Sequence, residues 1–475
     1  MTLKAGAVRC RMAPSPTGPL HFGTARTTLI NWLFARHNKG VFVMRVEDTD
    51  MERSKHEFED DLITGLKWLG IEWDEGPDIG GPYGPYRQSE RLDLYEQYLK
   101  KMLDEAQAYY CYCTKEELEI ERQVMMKKGE ASRYSGRCRT KPPKGRESQV
   151  IRFKTPEKKI SFNDIIRGEI TFDLAFAGDI VIAKDLRNPL YNFAVVIDDY
   201  EMKISHVIRG EDHIANTPKQ IALQEILGFP QPRYAHLPII LNPDRSKMSK
   251  RFTETSMLKY QDMGYLPDAL VNFIALLGWH PKNDSEILSK SDLISQFTME
   301  RMQKAGAVFD EKKLNWLNSQ YIKNASVDAL TELLAPFLKK HNLSPQDDLL
   351  KKVIKLEKGR AETLDGLLAD ANFFFKLEEY DAKLLIWKTS TKGKAKENLL
   401  HLVNIIHGIP EADFETATLE TTIMPIADKI GRGDMLWPLR VALSGKTASP
   451  GPFEIMYVVG KEAVLDRIKN ALAKL

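Results

Sequence analysis

The sequence lacks the features of secreted and membrane proteins. Only four of its 475 residues are cysteines, at positions 10, 111, 113 and 138. So few cysteines cannot form a disulfide scaffold, and they suit a reducing compartment. The first residues contain no apolar signal core. The longest apolar run, residues 269–279, is interrupted by Asn272 and is too short to span a membrane. We therefore expect a cytoplasmic protein without membrane contact.

The overall composition is that of a folded chain with several domains. Hydrophobic residues make up 43% and charged residues 28%, and neither a low-complexity tract nor an internal repeat is present. This composition excludes long-range disorder. At about 100–200 residues per domain, the length predicts about three to five structural units.

A net charge of +2 conceals one strongly basic segment. Residues 122–160 contain 13 lysines or arginines against 3 acidic residues. A solvated surface is one interpretation of such a segment. The other is a face that binds the phosphates of a nucleic acid.

The amino-terminal region has the pattern of a parallel α/β unit. Residues 8–12 predict a buried strand, and three prolines exclude helix from the loop 13–20. Periodic apolar residues then predict a helix from Phe22 to about Gly40, and residues 41–46 predict a second strand. Because ligands bind at the carboxyl ends of parallel strands, a site is expected near this loop and Glu47.

The same pattern returns after the basic segment. Residues 204–208 predict a strand, a helix runs from Thr217 to about Gly228, and residues 234–241 predict a further strand. From about Asp268 onward the sequence is mostly amphipathic helix. The predicted fold class is α/β: a split parallel sheet with an insertion, followed by an all-α C-terminal half.

Two short motifs point to a nucleotide site. His21-Phe22-Gly23-Thr24 stands at a helix start, where free N–H groups favour phosphate and Gly23 lets a flat base approach the backbone. Residues 246–251 form a cationic loop whose Lys247 and Lys250 can reach a polyphosphate. Each motif alone is weak evidence, since a capping histidine or a plain surface loop is commoner. Their order, at the ends of split α/β halves, favours the nucleotide site.

These motifs resemble the HIGH and KMSKS signatures of class I aminoacyl-tRNA synthetases. Residues 8–18, 45–50, 84–91 and 207–213 further resemble the glutamyl-tRNA synthetases. The resemblance is dense over residues 8–280 and thinner, though collinear, to the end. Glutaminyl enzymes carry a different proline-rich opening and β-barrel anticodon domains, which this sequence does not suggest.

The resemblance implies a Rossmann-type catalytic domain and an activity. Glutamate would be activated by ATP with Mg²⁺ to an adenylate and moved to the 3′ end of tRNA-Glu, by an enzyme expected to be a monomer. The implied domains are a first catalytic half (1–95), an acceptor-binding insertion (96–190), a second catalytic half (191–245), a stem-contact domain with the lysine loop (246–325) and a helical anticodon-binding domain (326–475).

The resemblance also implies which residues bind the small substrates. His21, Lys247 and Lys250 would stabilise the triphosphate, and Gly23, Thr24 and Met248 would complete the ATP site. Thr24 replaces the second histidine of the generic signature, as is common in glutamyl enzymes. The implied glutamate site consists of Arg11, Ser15, Glu47, Tyr191 and Arg209, with Glu47 on the ammonium group.

A guanidinium suits the glutamate side chain because its fixed fork pairs with both carboxylate oxygens. The alternative for Arg11 and Arg209 is a structural ion pair. Val195 stands where some relatives have an asparagine, so the resemblance leaves that one amino-acid contact open.

The resemblance extends to a zinc site and a tRNA surface. Cys111, Cys113, Tyr134 and Cys138 match a zinc-binding variant of the insertion, although Thr140 stands where other relatives have histidine. Structural zinc and reduced, unmetallated cysteines are both open. Arg133, Arg137 and Arg139 lie in the basic segment expected to contact tRNA. Arg360 is an expected anticodon contact, with a solvated helix face as its alternative.

Three other functions remain to be weighed. A degenerate relative would bind tRNA without charging it, but the two motif lysines argue against that. A truncated relative that transfers glutamate to a tRNA base lacks the helical anticodon half. A glutamyl enzyme that also charges tRNA-Gln is not excluded by the sequence.

Overall fold

The computed structural model describes residues 7–50, 52–129, 133–141, 143, 145–246, 248 and 255–475. They divide into two units. The first holds the chain up to Tyr260 together with Pro267–Leu314, and the second holds Gln261–Leu266 together with Asn315–Leu475. Within the described ranges, no helix has the length and apolarity needed to cross a membrane.

The first unit contains all the strands that the structure describes. In chain order these are β1 (Arg9–Met12), β2 (Val41–Met44), β3 (Ala108–Cys111), β4 (Val150–Phe153), β5 (Lys159–Asp164), β6 (Gly168–Asp173), β7 (Val181–Ala183), β8 (His206–Gly210), β9 (Arg233–Leu237), β10 (Ile240–Leu241) and β11 (Ala307–Val308).

Helices connect these strands. They are α1 (Phe22–His37), α2 (His56–Trp68), α3 (Leu92–Asp104), α4 (Lys115–Lys127), α5 (Arg137–Thr140), α6 (Tyr191–Glu201) and α7 (Thr217–Leu227), followed by Met257–Asp262, Pro267–Leu276, Lys290–Gln296 and Glu311–Asn324.

A six-stranded sheet forms the centre of this unit, in the order β2-β1-β8-β9-β5-β6. Neighbouring strands are parallel except in the β5–β6 hairpin. Strand β1 is buried along its length and pairs with β2 on one side and with β8 on the other. Since β1 and β8 come from distant parts of the sequence, the predicted split parallel sheet is confirmed.

Part of the segment predicted as an insertion extends the main sheet. The β5–β6 hairpin joins it where Asp164 pairs with Tyr234 of β9. The rest includes a separate antiparallel sheet in the order β3-β4-β7. The predicted insertion of residues 96–190 thus contributes to two sheets, and the five-part division of the chain stays a prediction.

An aromatic cluster fixes the start of α1. Phe22, the first residue of the helix, is fully buried and packs edge-to-face against Tyr260, Phe273 and Phe309, with ring centroids 5.1, 6.1 and 4.8 Å away. Aromatic pairs of this geometry add to the free energy gained by burial. The cluster therefore holds the amino end of α1, which carries His21, in a fixed place.

The second unit is helical, as the amphipathic pattern predicts. From Asp347–Glu357 onward, its helices bury leucine, isoleucine and phenylalanine side chains in one shared core. Those after residue 325 are Val327–Lys340, Asp347–Glu357, Leu364–Phe375, Lys392–His407, Thr416–Ile430, Arg432–Ser444, Pro452–Val459 and Lys461–Lys474.

Candidate active site

A cavity of about 990 Å³ opens at the carboxyl ends of β1, β8 and β9. Two of the predicted site residues, Lys247 and Lys250, lie outside the described part of the chain. The other residues predicted for ATP and glutamate all line the cavity: Arg11, Ser15, His21, Gly23, Thr24, Glu47, Tyr191, Arg209 and Met248.

His21 caps the amino end of α1 as a neutral imidazole. Its Nδ1 accepts a hydrogen bond from the Gly23 N–H at 3.1 Å, and its Nε2 lies 3.2 Å from the Thr24 hydroxyl. Burial lowers the pKa of His21. Because Nδ1 is an acceptor, this hydrogen-bond pattern assigns the single proton to Nε2. His21 can therefore donate a hydrogen bond at a helix terminus that already favours phosphate.

Arg209 is a buried guanidinium whose partners are all neutral. It is 5% exposed and donates to the Thr217 hydroxyl at 2.7 Å, to the Tyr191 hydroxyl at 3.3 Å and to His236 Nε2 at 3.3 Å. Within the described ranges, no carboxylate lies within 4 Å of its nitrogen atoms. A desolvated cation without an anionic partner favours binding a carboxylate from outside the chain.

His236 and Asp164 orient Arg209 and were not predicted. Both side chains are fully buried, and His236 Nδ1 lies 2.6 Å from an Asp164 oxygen. Burial lowers the pKa of His236 even though the Asp164 carboxylate opposes that shift. The neutral ring donates through Nδ1 to Asp164 and accepts at Nε2 from Arg209. The sequence signal for this pair is a histidine inside a buried strand.

Arg11 differs from Arg209 because it belongs to an ion-pair network. Its Nε lies 3.0 Å from Asp199, which also pairs with Arg45 at 2.7 Å. Arg45 in turn reaches Glu47 at 2.9 Å. Arg11 thus makes the structural ion pair that was its alternative interpretation, while still lining the cavity.

The pKa values in this network follow from burial and charge. Burial raises the pKa of Asp199, but Arg11 and Arg45 more than offset it and hold the pKa below its ordinary value. For Glu47, burial outweighs the same two arginines and the pKa is raised. Asp199 is therefore the anchored anion of the network.

A second set of buried contacts centres on Asp198. Its carboxylate accepts from Arg91 at 2.7 Å, from Gln88 at 2.7 Å and from Tyr95 at 2.8 Å. Sequence reasoning missed these residues together with Arg45 and Asp199. The available signal was the adjacent pair Asp198-Asp199, which directly follows the apolar run 193–197 near the carboxyl end of α6.

Tyr191 links Arg209 to a further histidine. Its hydroxyl lies 3.0 Å from His213 Nδ1, and burial raises the pKa of Tyr191 while lowering that of His213 to about 4. Val195 is buried in the apolar core and does not line the cavity. The structure therefore gives it no role in the cavity.

Three buried thiols and a phenol converge between β3 and α5. Cys113 Sγ lies 3.4 Å from Cys138 Sγ, and the Tyr134 hydroxyl lies 3.6 Å from Cys111 Sγ and 3.5 Å from Cys113 Sγ. A tetrahedral zinc site with Zn–S of about 2.3 Å and Zn–O of about 2.0 Å has S–O edges of about 3.5 Å. Among the described residues, these cysteines are the one group of three metal-binding side chains whose ligand atoms lie within 4.8 Å of one another.

The predicted tRNA-binding arginines of the insertion all make contacts within the chain. Arg133 donates to the Ala175 carbonyl, Arg137 lies 2.8 Å from Glu117, and Arg139 pairs with Asp179. Their side chains remain 41%, 46% and 35% exposed, respectively. Partial exposure leaves donor groups accessible from solvent. Arg360, in the second unit, is also exposed, and the tRNA role of all four arginines stays a prediction.

Comparison with known proteins gives matches over nearly the whole chain. The family model "tRNA synthetases class I (E and Q), catalytic domain" matches residues 7–316, and "Anticodon binding domain" matches residues 329–472. The chain is 44% identical to a glutamate–tRNA ligase of Desulforamulus reducens, covering 98% of this chain and 100% of the relative. It is 45% identical to that of Sulfurihydrogenibium sp., covering 98% and 99%. A crystal structure of a glutamate tRNA ligase from Elizabethkingia meningosepticum, in complex with its amino acid, matches with a TM-score of 0.89 at 35% identity, covering 98% and 99%.

Proposed function

The chain belongs to the glutamate–tRNA ligase family of class I synthetases, and we propose that it attaches L-glutamate to the 3′ end of tRNA-Glu in two steps. In the first, a glutamate α-carboxylate oxygen attacks the α-phosphorus of ATP and diphosphate leaves, giving glutamyl adenylate. In the second, a hydroxyl of the terminal ribose attacks the activated carbonyl and AMP leaves. The observation that carries this proposal is the buried charge of Arg209 in the cavity, whose hydrogen-bond partners among the described residues are neutral.

Arg209 binds the side-chain carboxylate of glutamate in this proposal. Its Thr217, Tyr191 and His236 contacts hold the guanidinium in place before the substrate arrives. Glutamine presents an amide there, which leaves the buried cation without an anion. The preorganised fork therefore selects the acid over the amide.

His21 donates to the phosphates of ATP as negative charge develops on them. Its neutral state and its Nε2 proton support this role, as does its place at the start of α1. Lys247 and Lys250 are proposed to contribute the positive charges. Mg²⁺, carried by the triphosphate, supplies further charge neutralisation when bound.

Cys111, Cys113, Tyr134 and Cys138 are proposed to hold a structural zinc ion. The 3.4–3.6 Å separations of their ligand atoms support this set. When bound, zinc supplies a crosslink between β3 and α5. The insertion around this site, with Arg133, Arg137 and Arg139, is proposed to contact the acceptor arm of the tRNA.

The direct test is charging of pure tRNA-Glu and tRNA-Gln transcripts with labelled glutamate and ATP. The proposal expects tRNA-Glu to be charged. Charging of both would add tRNA-Gln as a substrate. If neither accepts glutamate, the chain is a tRNA-binding module or acts on a tRNA base. The match to an anticodon-binding domain over residues 329–472 argues against the truncated base-modifying relative.

A further inference from the structure

Arg26 is a buried cation that no role above uses. It lies on α1, three residues after Gly23, lines the cavity and is 3% exposed. One nitrogen donates to the Pro238 carbonyl at 2.5 Å, whereas Nε and the other terminal nitrogen have no hydrogen-bond partner in the part of the chain that the structure describes. A Cβ at Gly278 would lie 2.7 Å from that second nitrogen, so the glycine makes room for the guanidinium.

Glu211 contacts the peptide group whose oxygen, the Pro238 carbonyl, accepts from Arg26. One of its carboxylate oxygens accepts from the Ile239 N–H at 3.0 Å, and the other accepts from Arg167. The carbonyl of Pro238 and the N–H of Ile239 belong to one peptide bond. Arg26 therefore donates a hydrogen bond to the oxygen of this peptide group, and Glu211 accepts one from its N–H.

This peptide joins two walls of the cavity. Gly23 lies on the same helix as Arg26, and Ile239 follows Pro238, whose carbonyl accepts from Arg26. Both Gly23 and Ile239 line the cavity. Strand β10 begins at the next residue, and the Met248 N–H donates back to the Ile240 carbonyl at 3.3 Å. The Arg26 contact with Pro238 and the Met248 contact with Ile240 thus connect the start of α1 to the lysine loop, residues 246–251.

We propose that Arg26 and Glu211 are positioning residues that clamp the Pro238–Ile239 peptide and so hold both walls of the ATP site in register. The inference rests on the proposed function. Burying a guanidinium that donates to a single carbonyl costs free energy, and the charge of Glu211 offsets part of that cost. Because small misplacements can cost up to about 100-fold in rate, loss of the clamp impairs ATP use specifically.

The test compares Arg26→Ala with Arg36→Ala in steady-state charging of tRNA-Glu. Arg36 is on the same helix, pairs with Asp74 outside the cavity and is the matched control. We expect Arg26→Ala to lower kcat/KM for ATP by about 10- to 100-fold while KM for glutamate changes less than threefold. Arg26→Lys, which retains a donor, should recover at least part of the loss.

A second pair of variants separates positioning from folding. Arg26→Met keeps the apolar stem without the donors and should reproduce the ATP defect with near-normal thermal unfolding. Glu211→Ala should share the ATP defect, and the double variant with Arg26→Ala should be no worse than about the weaker single variant, because both act on one peptide. Equal effects on ATP and glutamate, or an Arg26→Met enzyme that behaves like Arg36→Ala, would overturn the clamp. An inactive wild-type protein would instead overturn the proposed function.

Discussion

At the scale of single residues, Arg11 and Arg209 are both assigned to the glutamate site by the resemblance, but their neighbours differ. Arg11 has Asp199 at 3.0 Å, whereas Arg209 has hydroxyl and imidazole partners. We expect Arg209→Lys to raise KM for glutamate by about 10- to 100-fold, since a lysine cannot reproduce the bidentate pair and hydrogen bonds to charged groups contribute about 1.5–3 kcal/mol. KM for ATP should change little.

The matched control is Arg233→Lys, an exposed arginine on the neighbouring strand β9. It should leave both KM values near wild type. A normal KM for glutamate in Arg209→Lys would contradict the assigned role. A parallel rise in both KM values would mean that Arg209 supports the whole cavity and does not bind glutamate directly.

At the scale of elements, the sheet β3-β4-β7 and α5 bring the three thiols together. We expect the purified wild-type chain to hold about one zinc per molecule. Cys138→Ser should lose the metal and lower the midpoint of thermal unfolding, because the crosslink between β3 and α5 is removed. Metal analysis and calorimetry measure the two effects.

Cys10→Ser is the control for this prediction. Cys10 is buried in β1, apart from the cluster, and burial raises its pKa to about 12. Its substitution should leave the zinc content unchanged. A wild-type protein without metal, whose unfolding is unaffected by a chelator, would favour reduced, unmetallated cysteines.

Whether a site residue could be predicted from the sequence depends on whether one element or several distant elements bring it to the site. Cavity residues in a contiguous motif such as His21–Thr24 can be predicted, because a single loop or helix start carries all of them. Asp164 could not be assigned, since it reaches His236 only after the β5–β6 hairpin joins β9. Sheet order across an insertion depends on tertiary packing and leaves no local pattern.

At the largest scale, two histidines of the first unit, the buried His206 and the half-buried His213, couple its stability to pH. Burial lowers the pKa of His206 and of His213 to about 4, below the ordinary value of 6.5. Between these limits the unfolded chain binds more protons than the folded one. The free energy of unfolding should therefore fall as pH drops from 6.5 toward 4, by up to about 1.4 kcal/mol per pH unit for His206 and by less for the more exposed His213.

His206 allows a test that avoids the active site, because it does not line the cavity. His206→Gln removes one titrating group, so its stability should fall less steeply from pH 6.5 to 5, by about 1 kcal/mol relative to wild type. Hydrogen exchange of β1 and β8, corrected for intrinsic rates, measures this unit separately. His56→Gln, at an exposed histidine, should retain the wild-type slope. Identical slopes in His206→Gln and wild type would mean that His206 keeps an ordinary pKa in the folded chain.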